Sequence, residues 1–313
     1  MKGLQLLATG GALPGRVVTN EDLSRQVDTS DEWITTRTGI RQRYYCTESE
    51  DAATLAIAAA RQALARSGLA ASEIACCVAA TLSAPTATPS VACRVQAALG
   101  LPENRPAFDV NAACSGFIYA IAAAHGLLNI LGGRYALVIG CEALSRMVDP
   151  TDRTTCVLFG DGAGAAILEL AEDVPFAVTL GARGSEAIRV GGPAACDTAP
   201  ITMDGKAVFR FAVETMPRCL QTVLERSQKT LADLDWVVCH QANVRILDAS
   251  IRRLGMPAEK FYRNLDRYAN TSAASIPLAL DEMRENGLLQ PGQKMILVGF
   301  GGGLTWAGVY MEV

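Results

Sequence analysis

Apolar residues along this chain fall into short solid runs and longer amphipathic stretches, and the two kinds alternate. Residues 73 to 81, EIACCVAAT, are nearly continuous apolar sequence and predict a buried strand. TPSVACRVQAALG, 88 to 100, predicts a helix stopped by Gly100. A short extended piece, AFDVNAA, leads into a helix that starts near Cys114 and runs through IYAIAAAHGLL. YALVIGCEA, 135 to 143, predicts the next buried strand.

The same order then returns. DLDWVVCHQ predicts a strand, NVRILDASIRRLG a helix ending at Gly255, and FYRNLDRYANTS an extended lead. AASIPLALDEMRENGLL predicts a helix and KMILVGFGGG a strand. Gly100 to Gly255 is a shift of 155, Cys114 to Asn270 of 156, and Tyr135 to Lys294 of 159. A nearly constant shift over five elements implies internal duplication, with two similar α/β halves at 1–171 and 172–313. Halves packed about a pseudo-twofold axis would bring the Cys114 and Asn270 turns together. His240, at the carboxyl end of a strand, would face the same crevice.

Composition narrows the function. The 313 residues are half hydrophobic and 19% charged, which excludes a disordered chain, and the net charge of -4 offers no broad positive field for nucleic acid. The opening MKGLQLLATGGALPG lacks a secretory pattern, and no stretch holds 18 unbroken apolar residues. A cytoplasmic protein without a membrane span is expected. Its ten cysteines are then free thiols, and with no C-x-x-C pair and only His125 and His240, a Cys/His metal site is not expected.

Cys114 differs from the other cysteines by its place at a strand-to-helix junction, where free backbone N–H groups and the helix dipole favour a thiolate. Cys76, Cys77, Cys93, Cys141 and Cys239 sit inside apolar elements and read as packing. His125 lies eleven residues along the Cys114 helix, about 16 Å away at 1.5 Å per residue, too far to serve the thiol. Asn270 could simply cap its helix. GFGGG, 299 to 303, is followed by the strand-like LTWAGVYMEV and not by a helix, so an oxyanion hole suits it better than a dinucleotide site.

Several long motifs in one order, DVNAACSGF, HQAN, NTSAASIPLAL and GFGGGLTW, with VDTSDEWITTRTGIR at 27 to 41 and FGDGAGAA at 159 to 166, resemble the β-ketoacyl-acyl carrier protein synthase III family of the thiolase superfamily. The resemblance implies a five-layered αβαβα fold, a homodimer, and condensation of an acyl-CoA primer with malonyl-acyl carrier protein at the start of type II fatty acid synthesis. No cofactor beyond these substrates is implied. By resemblance Cys114 is the nucleophile, His240 and Asn270 hold the malonyl thioester, and the N–H groups of Cys114 and Gly302 form the oxyanion hole. Trp33 and Arg153 match the pair that stacks the CoA adenine, with Thr29 and Arg37 near the nucleotide and Asn243 near the pantetheine. Arg210, Gln241, Ala242, Asn243, Val244, Arg245, Arg252 and Arg253 correspond to the carrier-docking region. Thr88 and Phe300 correspond to the acyl pocket, where acetyl-specific relatives carry Phe at the position of Thr88. That departure, with a Gly-rich segment from Val178 to Met203 that looks shorter than usual, favours a primer longer than acetyl. Two alternatives stand beside this reading: a relative with another primer or acceptor in a secondary pathway, and a cysteine hydrolase, since papain-like proteases share the Cys, His, Asn order.

Overall fold

The computed structural model describes residues 2–192 and 199–313. The first half runs β1 (Lys2–Ala12), α1 (Ala52–Ser67), β2 (Ile74–Ala80), α2 (Val91–Leu99), β3 (Ala107–Val110), α3 (Gly116–Leu131), β4 (Tyr135–Ala143) and β5 (Asp161–Pro175). The second runs β6 (Val178–Ser185), α4 (Gly205–Ser227), β7 (Trp236–Cys239), α5 (Val244–Leu254), α6 (Ser275–Glu285), β8 (Lys294–Gly301) and β9 (Gly303–Glu312).

The duplication is visible in the strand pairing. In the first half β3, β2 and β4 are parallel, and β5 is antiparallel to both β4 and β1. In the second, β7 and β8 are parallel and β9 is antiparallel to both β8 and β6. An isolated parallel bridge from Phe261 to Val237 stands where β3 stands in the first half. The two sheets touch through β1 and β9, which pair in parallel at Gln5 and Glu312.

Each sheet is covered on both faces, and this is why its strands read as solid apolar runs. Alanines of α1 and Val91, Ala92 and Val95 of α2 pack on the outer face of the first sheet. Helix α4, with Phe211, Met216 and Leu220, and α5, with Ile246 and Leu247, pack on the second. Between the sheets lie α3 and α6, sharing one core through Phe117, Ile121, Leu128, Ile276, Leu280 and Met283. The layers are therefore αβαβα. The segment Ala113–Leu131 is apolar enough by length and composition to cross a membrane, but here it is the filling between two sheets.

Three details differ from the sequence reading. The boundary expected between 171 and 172 falls inside β5, which continues because Ala171 and Pro175 still pair with Gly3 and Lys2. The lead FYRNLDRYANTS forms only single bridges, at Phe261 and Asn270, and Leu265–Tyr268 between them turns into a short helix. Finally, each central helix is entered through a three-residue 3-10 turn, Ala113–Ser115 or Ser272–Ala274. The first residues of those turns share a left-handed backbone, φ 46° at Ala113 and 48° at Ser272. They lie 159 residues apart, the same shift as Tyr135 to Lys294. The counterpart of Cys114 is thus Ala273, and Asn270 stands just before the second turn.

Candidate active site

Cys114 sits at the centre of the first turn, 8% exposed, with the glycine run of β8 pressed against it. A Cβ on Gly301 would lie 2.7 Å from the Cys114 Cβ and 3.1 Å from its sulfur, so only glycine lets the strand pass this close. The backbone N–H groups of Cys114 and Gly302 lie against the sulfur and favour its ionised form. The two segments are tied together. Ser115 Oγ donates to Thr305 Oγ1 at 2.6 Å, and Thr305 Oγ1 lies 2.9 Å from the carbonyls of both Ala112 and Gly302. This knot fixes two backbone donors on one point, as an oxyanion hole requires.

The sequence argument expected a thiolate at this helix entrance. Instead burial dominates and pushes the Cys114 thiol up to about 12, with the Ser272 hydroxyl and the two backbone N–H groups opposing it. Cys114 rests as a thiol.

His240 directly follows β7, where its N–H donates to the carbonyl of Val298 at 2.8 Å. The residue is 1% exposed, with Nδ1 2.7 Å from Ser275 Oγ and its ring edge-to-face with Phe300 at 5.3 Å between centroids. Ser275 Oγ already accepts from Gln241 N, so its own proton is free for Nδ1, which leaves the ring proton on Nε2. Burial lowers the His240 pKa to about 3, and the ring is a neutral donor. Asn270 is held by Leu158 and Gly160 through its backbone, and its Oδ1 accepts from Ser272 N at 2.9 Å. Its Nδ2 remains as a second neutral donor.

Cys114, His240 and Asn270 open onto one cavity of about 170 Å³, with apolar walls that include Leu144, Phe159, Ile188, Ile201 and Phe300. Ile188, Val190, Ile201 and Met203 come from the Gly-rich segment, which therefore shapes the cavity; its residues 193–198 lie outside the described residues. Gly205, Phe209 and Asn243 connect this space to an outer cleft of about 950 Å³. Arg37, Lys206, Arg210, Arg245 and Arg253 line that cleft against a single carboxylate, Glu214. At its rim Trp33 carries two cations, with the guanidinium of Arg37 4.6 Å and that of Arg153 5.4 Å from the ring centroid. Arg153 also donates to Asp28 O at 2.8 Å, and the nearby Thr29 hydroxyl is buried without a partner.

Other expectations meet the structure less simply. Gln241 is 1% exposed and its amide binds Cys239 O, Tyr262 O and Asn264 N, so it is scaffold beneath the loop and not a docking surface. Ala242 and Asn243 line the cavity, Val244 is half-buried, and Arg252 is exposed but outside the cleft lining. Thr88 is exposed and lines no part of the Cys114 cavity in its own chain. His125 is a core residue, stacked on Phe176 with its Nε2 2.8 Å from Lys2 O. Sequence reasoning missed Lys206 and Phe209 at the channel, and Ser272 and Ser275 behind the reacting groups. The repeated turn carried a signal for the two serines, because each stands at a fixed place in the second copy.

The chain is similar to known proteins along nearly its whole length. The family model described as 3-oxoacyl-[acyl-carrier-protein (ACP)] synthase III matches residues 108–184, and its C-terminal companion matches 224–313. The chain is 46% identical to the beta-ketoacyl-[acyl-carrier-protein] synthase III of Rhizorhabdus wittichii, covering 98% of both chains. It is 42% identical to that of Clostridium acetobutylicum, over 100% of this chain and 99% of the other. The crystal structure of 3-oxoacyl-[acyl-carrier-protein] synthase III from Aquifex aeolicus superposes with a TM-score of 0.92 at 42% identity, over 98% of this chain and 99% of that one. Neither the hydrolase nor the secondary-pathway alternative is favoured by these matches.

Proposed function

The chain belongs to the β-ketoacyl-acyl carrier protein synthase III family, acyltransferase condensing enzymes that initiate type II fatty acid synthesis, and from that premise we propose how its cavity divides the reaction. The observation that carries the reading is the convergence of one thiol, two neutral donors and two backbone N–H groups on a single apolar cavity. Cys114 Sγ attacks the carbonyl of the acyl-CoA primer, whose oxygen receives the N–H groups of Cys114 and Gly302. The tetrahedral intermediate collapses with loss of CoA thiolate, which takes a proton from solvent, and the acyl group stays on sulfur. The malonyl thioester then enters with its carbonyl between His240 Nε2–H and Asn270 Nδ2. Breaking the bond to the carboxylate releases carbon dioxide and leaves the electron pair as an enolate, which those donors stabilise more than the ground state. The enolate carbon attacks the acyl carbonyl, and collapse expels the Cys114 thiolate and the 3-oxoacyl product. The apolar walls favour loss of a charged carboxylate as neutral carbon dioxide.

The cationic cleft suits acidic partners, the phosphates of CoA and an acidic carrier protein. The double charge reversal Arg245→Glu with Arg253→Glu is expected to raise the KM for malonyl-acyl carrier protein at least tenfold at low salt. Acylation of Cys114 by acyl-CoA should change less than threefold, because Trp33, Arg37 and Arg153 are untouched. Equal losses in both steps would remove these two arginines from carrier docking.

Thr88 acts in this reading across a homodimer, reaching the cavity of a second copy, where its small side chain leaves room that Phe would fill. Acylation rates over a panel of acyl-CoAs of two to about ten carbons should favour chains longer than acetyl, and Thr88→Phe should shift the preference back to acetyl. An unchanged preference in that variant sinks the assignment.

A further inference from the structure

Glu142 lies near the end of β4, wholly buried, and takes no part in the reaction above. Among the described residues it forms no ion pair. Its Oε2 accepts from Ser83 Oγ at 2.5 Å and from Thr81 Oγ1 and Leu82 N at 3.2 Å. Its Oε1 has no hydrogen-bond partner, and neither has the Ser272 hydroxyl, although Ser272 is only 1% exposed. Buried oxygens are seldom left so, because an unmade hydrogen bond leaves their desolvation uncompensated. The Ser272 hydroxyl favours the ionised form of both Cys114 and Glu142, yet in the resting geometry it completes a bond to neither. Ser272 lines the cavity with Cys114, whereas Glu142 is fully buried and outside that lining. The left-handed backbone at Ser272 and its N–H bond to Asn270 Oδ1 hold it there.

We propose that Glu142 accepts the Cys114 proton through the Ser272 hydroxyl, so that the resting thiol becomes the nucleophile without involving His240. Cys114 Sγ–H passes its proton to Ser272 Oγ as the Ser272 proton passes to Glu142 Oε1, giving thiolate and carboxylic acid with no change in net charge. The negative charge moves onto sulfur, where the N–H groups of Cys114 and Gly302 receive it. After the tetrahedral adduct of the condensation collapses, the expelled Cys114 thiolate takes the same proton back by the reverse path.

The proton rests on sulfur, since burial holds Cys114 up to about 12, so the transfer is transient; of the nearby bases Glu142 is the better acceptor. His240 is neutral down to about 3 and its Nδ1 is committed to Ser275, so it is a poor base for a buried thiol. Burial raises Glu142 to about 7, a proton affinity suited to holding and returning one proton near neutrality. The titratable groups around it are Cys114, Cys141 on its own strand, and Cys77 and Asp109 on β2 and β3, which also act on Cys141. Asp161 on β5 is turned to Ser145 and Cys46. None of these is a cation that would fix Glu142 as a permanent carboxylate.

The proposal rests on Cys114 as nucleophile, and its test does not need the acyl substrate. Iodoacetamide alkylation of Cys114, followed by peptide mass spectrometry from pH 5.5 to 9, should rise through an inflection near 7 to a plateau in the wild-type enzyme. Glu142→Gln and Ser272→Ala should lose that inflection and fall at least tenfold at pH 7.5, with rates climbing only at higher pH. Ser83→Ala removes the hydroxyl bond that most lowers Glu142 but leaves the path intact, so it should keep the inflection, moved to higher pH. A folded Glu142→Gln or Ser272→Ala with the inflection retained within threefold, a Ser83→Ala that matches them, or a wild-type profile without the inflection would overturn the relay and leave Glu142 as a loop anchor. Should Glu142→Gln not fold, Ser272→Ala decides alone. Absence of an acyl adduct from acyl-CoA would instead count against the proposed function and leave the alkylation result standing.

Discussion

Cys114→Ala should form no acyl adduct with any acyl-CoA and should lose condensation by a factor on the order of 10,000 to 1,000,000, the range seen when a nucleophile acting within a unit is removed. Among the described residues no other thiol is placed to substitute. Cys76 and Cys219 are held up to about 12 by burial, as Cys114 is, but neither has paired backbone N–H groups against its sulfur or a place on the cavity wall. The effect is therefore specific to position and not to thiol chemistry in general. Intact-mass analysis after mixing with acyl-CoA reads it directly: one acyl mass on the wild-type chain and none on the variant. The same adduct on Cys114→Ala would mean that acylation occurs elsewhere and the whole assignment falls.

His240→Ala and Asn270→Ala should each slow carbon dioxide release from the malonyl carrier by about 100- to 1000-fold, the usual cost of losing one oxyanion donor. Acylation of Cys114 should change little, since its oxyanion site is built from backbone N–H groups that neither side chain holds. Decarboxylation, measured apart from acylation, should also be flat from pH 5.5 to 8, because burial keeps His240 neutral down to about 3. The sign for stability follows the same shift. A histidine whose folded pKa lies below its unfolded value supports the fold fully above about 6.5, and that support is lost as pH falls toward 3. A decarboxylation step near pH 6.5 that disappears in His240→Ala would show that the ring titrates in this range, which contradicts a neutral donor.

Much of the molecule could be read from local pattern. Apolar runs such as ILVGF marked strands because both sheet faces are covered, and Gly100 and Gly255 marked helix ends because both adopt the left-handed conformation there. The repeat placed Cys114 and His240 at the ends of elements that meet. It did not align Asn270, because residues ahead of a turn slide in sequence while the turn itself keeps its geometry. Gln241 shows the same limit. Beside a docking loop its polarity suggests a surface, but three backbone partners, Cys239 on the strand just before it and Tyr262 and Asn264 on one other segment, draw it inside.

The chain by itself determined the two-fold plan, its strands and helices, and the kinds of groups available for chemistry, since these depend on periodicity and residue type over short spans. Tertiary structure alone decided the state of those groups. The helix entrance that favours a Cys114 thiolate is written locally, whereas the desolvation that overrides it comes from the second half closing over the turn. The same closure keeps His240 neutral and leaves Glu142 Oε1 and the Ser272 hydroxyl without partners. Burial of a charge depends on every layer around it, and no stretch of sequence contains those layers.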